Sequence, residues 1–543
     1  MTSEKKSKRL AIIGCGSSGL ISLKYALDAL PDWEIICFEK TNKITGCWGA
    51  PYPGFVSTST KYTTQFACMP EFNSDVHPDG GKSSSEFFCG DEYGQYLKRF
   101  ANHFNLHPHI RLMTPVTNFV RCQSGKGWNL SINESSDNSK TVVEHFDQLI
   151  IATGLAASPK AIKSKVPILS TKIINSHAGI EQINNKKIVV IGGGESAVDF
   201  ADRLTKSELN NEVYLSLKSG IRVSPRYHPI RGVPSDFLRN RLMLSIHQGM
   251  RNRIGHFFVR ARIRYQERFE SFFSKKKSNE HSKSDSKNKD LPATMLRKEW
   301  ADRLTQTAKD DLFNMFHNKS DTFLDAVGEG RIKIIGPPTD TDCKEFFDYN
   351  SQEKIKINPE LIIPAIGYHS LLDHLSQNKI KLKDFYLGCT HIAFNDLHLV
   401  GFARPIIGNI PSISEVQADY ITQLIAKNVV HPDNIKELHA ANSRARQKRY
   451  GKLNLDMVYP VEMFPYCDHI ARKLGKFPKL GKTGLIKWLK MQFIPASTIH
   501  YHSSKVHNDR IYMPWLLILI ITCLIPLSVI CHLFSTDKVH KEG

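Results

Sequence analysis

The sequence contains no Cys-x-x-Cys pair; its 11 cysteines stand scattered from Cys15 to Cys531. That spacing excludes a zinc knuckle and a redox dithiol, and nothing in it suggests a disulfide framework. The first residues, Met-Thr-Ser-Glu-Lys-Lys-Ser-Lys-Arg9, are charged where a secretory signal needs an apolar stretch. The bulk of the chain is therefore expected in the cytosol, with reduced thiols. No Ser-His-Asp group and no metal-ligand cluster stands out. A nucleic-acid motif is missing too, although the net charge is +20 and the stretch from Arg226 to Trp300 carries 18 Lys/Arg against 7 Asp/Glu. Such a basic surface suits anionic lipid or an anionic cofactor, and no nucleic-acid partner is expected. With 41% apolar and 23% charged residues the chain is not disordered, and 543 residues are too many for one core. About two to four domains follow.

What is there is a repeated pattern. Leu10-Ala-Ile-Ile13 is a short apolar run before a glycine turn, an amphipathic helix is predicted from Ser18 to about Leu30, and Glu34 to Glu39 reads as a second strand. Strand, glycine turn, helix and strand make the opening unit of a doubly wound sheet. Asp147 to Gly154 is a buried strand ending in glycine. The cycle restarts at Lys186-Lys-Ile-Val-Val-Ile191, with a turn at Gly192 to Gly194, a helix from Glu195 to Lys206 and a strand from Glu212 to Leu217. Leu361 to Gly367 and Leu397 to Gly401 are expected as late strands of the first sheet. Ser274 to Asp290 is a low-complexity surface segment.

Gly14-Cys15-Gly16-Ser17-Ser18-Gly19 is a Gly-x-Gly-x-x-Gly turn. The first glycine allows the tight turn, the second lets backbone N–H groups approach a pyrophosphate, and the third lets helix and strand pack closely. The anion then faces the positive end of the helix. Glu39, followed by Lys40, ends the next strand, where a carboxylate accepts hydrogen bonds from ribose hydroxyls. The second turn, Gly192-Gly193-Gly194-Glu195-Ser196-Ala197, is the Gly-x-Gly-x-x-Ala variant. Its second strand runs into Lys218 and Arg222, cations that attract a 2′-phosphate where an acid would repel it. An acid at the first site and cations at the second assign FAD to the first and NADPH to the second, so hydride flows from nicotinamide to flavin.

Further segments resemble the flavin-containing monooxygenase family (the dimethylaniline N-oxide-forming type), of which this chain looks like a divergent member from about Lys8 to Lys427. Gly46-Cys47-Trp48 is similar to the family's Gly-Gly-x-Trp, with Thr45 in place of the first glycine. Ile151-Ala-Thr153-Gly154 matches its chain crossing between domains, and Ser216 to Arg226 its Ser-Arg-Ser-Gly stretch. Pro364-Ala-Ile-Gly367-Tyr368 resembles its Ala-Thr-Gly-Tyr, and Gly401-Phe402, Ile410-Pro411 and Gln417 its flavin-side closing segment. The chain departs from the family at two places. Only Ser176-His177 survives of the long fingerprint, and Lys61 falls where the family has its active-site asparagine. Lys61 and His177 are the candidate catalytic residues, a structural histidine being the alternative at 177.

The resemblance implies an α/β fold with two Rossmann-like domains: FAD-binding parts at 1–165 and 336–440, interrupted by an NADPH domain at 166–335 with a basic insert at 226–290. It also implies NADPH- and O2-dependent transfer of one oxygen atom, by a C4a-hydroperoxyflavin, to an amine nitrogen or sulfide sulfur of a small lipophilic substrate. Baeyer–Villiger oxygenation of a ketone, in which Arg404 would assist, and uncoupled NADPH oxidation stay open as alternatives, as does an oligomer. Finally, Met513 to Phe534 has no Asp, Glu, Lys or Arg over 22 residues. About 20 such residues span a bilayer core. A transmembrane helix is predicted over 511–534, with 441–510 as a membrane-proximal segment. Membrane lipid would be a partner, and the expected location is a single-pass C-terminal anchor in the endoplasmic reticulum, the catalytic domain facing the cytosol.

Overall fold

The computed structural model describes residues 7–49, 51–79, 81, 83–133, 141–171, 179–228, 232–261, 291–308, 310–501, 509–512 and 515–534. Among them, two sheets organise the fold. In the first, β1 (Arg9–Ile13), α1 (Ser17–Ala29) and β2 (Glu34–Phe38) form the opening unit, and β3 (Gln148–Ile151) lies parallel to β1 on its other side. The strands are apolar nearly throughout because both faces are covered, which is what a parallel sheet requires. In the second, β4 (Lys187–Ile191), α2 (Glu195–Leu204) and β5 (Glu212–Ser216) repeat the unit, with β6 (Ile332–Pro338) parallel beyond β5.

β7 (Leu361–Pro364) pairs with β4 and so closes the second sheet. The expectation that it returns to the first sheet is corrected: its all-apolar sequence fits any buried parallel position, and only pairing selects one. β8 (Leu397–Leu399) does return, lying beside β3. Each sheet has its own core, one centred on Leu10, Ile12, Leu20 and Ile150, the other on Ile188, Val190, Phe200 and Leu215. α3 (Ile410–Ile425) packs along α1, and Ser18 and Ser414 hydroxyls meet at 2.9 Å between them. α4 (Ile435–Tyr450) and α5 (Met463–Lys473) follow.

The C-terminal apolar run does form a helix, α6 (Trp515–Phe534), with Pro526 inside it. It docks on the protein: Ile518 is buried against Leu242 and Ile246, with Ile525 beside them. Ser528 Oγ accepts a hydrogen bond from the His247 backbone N–H at 2.8 Å. Trp515, Leu519, Leu527 and Val529 face outward. Among the described residues no helix is long and apolar enough to cross a membrane. The predicted transmembrane helix, and the single-pass location in the endoplasmic reticulum that rested on it, are therefore corrected. An apolar run states that a segment avoids water, not whether protein or lipid covers it.

Candidate active site

Both glycine turns stand at the carboxyl ends of the central strands, where open α/β sheets hold ligands. Gly14 adopts φ +98°, and a Cβ there would come within 2.8 Å of the Ala152 carbonyl oxygen. A Cβ on Gly19 would sit 1.8 Å from the Gly14 carbonyl oxygen, so nothing larger fits where α1 leans on β1. Gly16 caps α1, and Ser17 begins it. Glu39 directly follows β2, its carboxylate accepting from Cys15 N–H at 2.9 Å and from Thr41 N–H at 3.0 Å. This holds the acid beside the turn, in reach of a ribose. Lys40, next along, is exposed.

Gly46, Cys47 and Trp48 form a helical turn opposite. A Cβ on Gly46 would lie 3.0 Å from Gly16 Cα, so the two turns stand directly against each other. Trp48 is fixed edge-on to Tyr93, ring centroids 4.8 Å apart. The Cys47 thiol is solvent-accessible, yet burial by surrounding protein pushes its pKa up, as expected for a side chain inside an open groove. Thr153 follows β3; its hydroxyl is buried without a hydrogen-bond partner. Gly154, at φ +74°, has open space before it, as does Gly367 at φ +94°. A glycine-lined groove with an orphaned hydroxyl and a poised carboxylate fits the adenosine and pyrophosphate of FAD.

At the second turn Gly192 takes φ +135°, where a Cβ would meet the Ala365 carbonyl oxygen at 2.3 Å. Gly194 caps α2 with open space before it, and Ala197 is fully buried where the third glycine would be. Ser196 is half-buried in the first turn of α2. Lys218 is exposed just past β5. Arg222 is buried; its Nη2 donates to the Asp310 carbonyl at 3.1 Å, while Nε and Nη1 have no partner. An exposed ammonium and an under-satisfied guanidinium after β5 fit the 2′-phosphate of NADPH.

The two units are tied across the cleft. Tyr52 donates to Asp199 of α2 at 2.7 Å, and Arg226 donates to the carbonyls of Ser57 and Val56 at 3.1 and 3.0 Å. Asp236, in the described part of the basic insert, accepts from Thr60 N–H at 3.1 Å and pairs with the buried Lys319. Arg239 lies 3.7 Å from the same carboxylate. Burial raises the Asp236 pKa, but the charges of Lys319 and Arg239 outweigh it and hold the carboxyl below its usual range. Lys319 N–H in turn donates to Glu195 at 3.0 Å. Burial pushes Glu195 up to about 7, against that hydrogen bond and the charges of Lys319, Arg226 and Arg404. Arg404 lies 3.9 Å over the Phe316 ring, open to solvent although protein surrounds it.

Several predicted residues have side chains engaged by other parts of the protein. Lys61 begins a short helix, Lys61–Thr64, capped by Thr60, and its ammonium pairs with Glu92 at 3.0 Å. Gln417 is buried in α3: its carbonyl accepts from Gly401 N–H at 3.0 Å and its amide donates to Tyr466 at 2.7 Å. Ser18 spends its hydroxyl on Ser414. Glu195 faces Lys319 and not solvent alone. His177 lies outside the described residues. The Asp236–Lys319–Glu195 cluster was missed because its members are far apart in sequence. The faint signal for it was Asp236, the first acid of a basic insert.

Among known proteins, the flavin-binding monooxygenase-like family model matches residues 7–303. A 4-hydroxybenzoate brominase (decarboxylating) of Marinomonas mediterranea is 25% identical, covering 92% of this chain and 90% of its own. Flavin-containing monooxygenase 1 of Oryctolagus cuniculus is 24% identical, covering 87% and 84%. The structure of S-allyl-L-cysteine S-oxygenase from Allium sativum shares the fold at TM-score 0.54 and 13% identity, covering 86% and 89%. An open crystal structure of cyclohexanone monooxygenase does so at TM-score 0.55 and 14% identity, covering 86% and 98%. With both dinucleotide cradles in place and more than half its length matched by the family model, this chain belongs to the flavin-binding monooxygenase-like family and is an FAD- and NADPH-dependent monooxygenase.

Proposed function

We propose that the protein oxygenates a small lipophilic molecule at sulfide sulfur or free-base amine nitrogen, with sulfide the better acceptor. The observation that supports this is the cationic cleft between two dinucleotide cradles. FAD, reduced by NADPH, supplies activation of O2. The chain supplies the rest. Gly14, Gly16 and Gly19 admit the flavin's pyrophosphate, Glu39 its ribose, and Lys218 with Arg222 the 2′-phosphate. Arg226 and the Asp236–Lys319 pair lock the cleft walls, which keeps water from the reacting atoms. Arg226, Arg239, Lys319 and Arg404 outnumber Asp236, Glu195 and Asp321, the last standing 3.7 Å from Arg226, and a positive cleft disfavours an ammonium. An amine must then enter as its minor neutral form, whereas a sulfide enters as it is.

Arg404 supports a second reading, oxygenation of a ketone, because a guanidinium standing open in the cleft is placed to hold a carbonyl oxygen. The FAD-loaded protein, given NADPH and O2 with a thioether, a tertiary amine or a cyclic ketone in turn, distinguishes these. Sulfoxide formed in proportion to NADPH consumed, with the amine turning over more slowly, supports the proposal. Ester or lactone as the main product moves the assignment to the second reading. Peroxide equal to NADPH consumed whatever is added sinks both and leaves an uncoupled NADPH oxidase.

A further inference from the structure

A cavity of about 120 Å3 lies away from both cradles between α4, α5 and the strand Tyr459–Val461. An apolar protein cavity of ~150 Å3 holds a benzene ring, so the space is of ring size. Tyr450, Tyr459, Tyr466 and Pro460 give it an apolar wall. Arg446 lines the same space. Its guanidinium stacks 3.6 Å from the Tyr459 ring centroid and donates to Ser443 Oγ at 3.3 Å, while its Nε is buried with no hydrogen-bond partner. Among the described residues no carboxylate pairs with Arg446. Glu462, the one carboxylate in the lining, is already shared by Arg449 and Arg251. The cavity thus combines phenolic walls with an unneutralised, pre-oriented guanidinium.

We propose that this cavity is a binding site for a small organic carboxylate with a ring-sized apolar body. The carboxylate would pair with Arg446 and the body would fill the space between Tyr450, Tyr459 and Tyr466. A neutral ring leaves the half-buried guanidinium, with its buried Nε, without a counter-charge, which costs more than the contact returns. An inorganic anion pairs with it but leaves the apolar walls bare. A planar carboxylate satisfies both, since guanidinium and carboxylate match in geometry. Burying an aromatic body supplies the remaining affinity. No cradle residue lines this cavity, so the site is additional to those for FAD, NADPH and the oxygenated substrate.

The test is calorimetric titration of benzoate into the FAD-loaded full chain with saturating NADP+ present. One saturable site per chain below about 10 mM is expected. Benzamide should bind at least about tenfold more weakly, and so should benzoate to Arg446→Ala. Ala445→Leu, which fills the cavity and keeps the charge, should weaken benzoate to the same degree; it decides the matter if Arg446→Ala fails to fold. Absence of saturable benzoate binding overturns the proposal. So does binding that both variants leave unchanged, because the probe would then sit elsewhere.

Discussion

Replacing Asp236 by Asn isolates the contact that joins the basic insert to both walls of the cleft. The carboxylate is 8% exposed and Lys319 equally so, and both are well inside the protein. Asparagine keeps the shape and can still accept from Thr60 N–H, but it leaves the Lys319 ammonium buried without its counter-charge. Removing one partner of a buried pair costs about 3–5 kcal/mol. Thermal midpoints of domains this size move about 2–4 °C per kcal/mol, so a fall of roughly 6–20 °C is expected in the FAD-loaded protein. The loss belongs to the lone charge, and so Asp236→Asn combined with Lys319→Met should recover most of it. The pH dependence has a definite sign. Asp236 is held below the ordinary carboxylate range in the fold, so its contribution is complete above the unfolded value of about 3.9 and is lost as pH falls through the lower folded value. The gap between wild type and Asp236→Asn should therefore narrow in acid. A loss under about 1 kcal/mol, or a double variant as unstable as the sum of its parts, would refute the reasoning.

Gly19→Ala places a methyl 1.8 Å from the Gly14 carbonyl oxygen. The first turn must open, and the purified variant is expected to lack the visible flavin absorbance of wild type. Lys218→Ala should raise the KM for NADPH by at least about tenfold, the effect of one charge-assisted bond to phosphate, while the KM for NADH stays put; equal changes for both would remove Lys218 from the 2′-phosphate. Glu195 stands in the first turn of α2 with a pKa pushed up to about 7, so it ionises as pH rises through neutrality and then opposes the pyrophosphate at that helix end. NADPH should bind more weakly above about pH 7 in wild type, and a titration of Glu195→Gln across pH 6–8 should be flat. Lys61→Ala breaks a half-exposed pair with Glu92 and should change stability by no more than about 1 kcal/mol in urea unfolding.

The legible and illegible parts of this molecule divide along sequence distance. Gly14, Gly19 and Gly192 declared themselves because the strand-turn-helix pattern marks each turn, although only Gly19 is crowded from within its own unit; the carbonyls that crowd Gly14 and Gly192 are those of Ala152 and Ala365 at the ends of neighbouring strands. Glu39 did so because β2 ends at the same height as the turn. Lys61 could be placed by its neighbours but not read for its partner. Glu92 lies on another helix and pairs with the ammonium at 3.0 Å. Gln417 and Ser18 show the converse, since polar side chains beside a binding segment were needed to satisfy Gly401 N–H, Tyr466 and Ser414 within the core. A buried polar atom must find a partner, and the local sequence does not say whether that partner is protein or ligand. The same ambiguity governs the C-terminal helix, whose apolar residues could be covered by either of two surfaces. Asp236 and Lys319 sit 83 residues apart and meet through tertiary packing, Lys319 lying on the short strand Asn318–Lys319 that pairs with Val223–Ser224. Charge that must be neutralised in the interior draws its partner from wherever the fold brings one, and that choice is made by tertiary packing, after every local pattern has been spent.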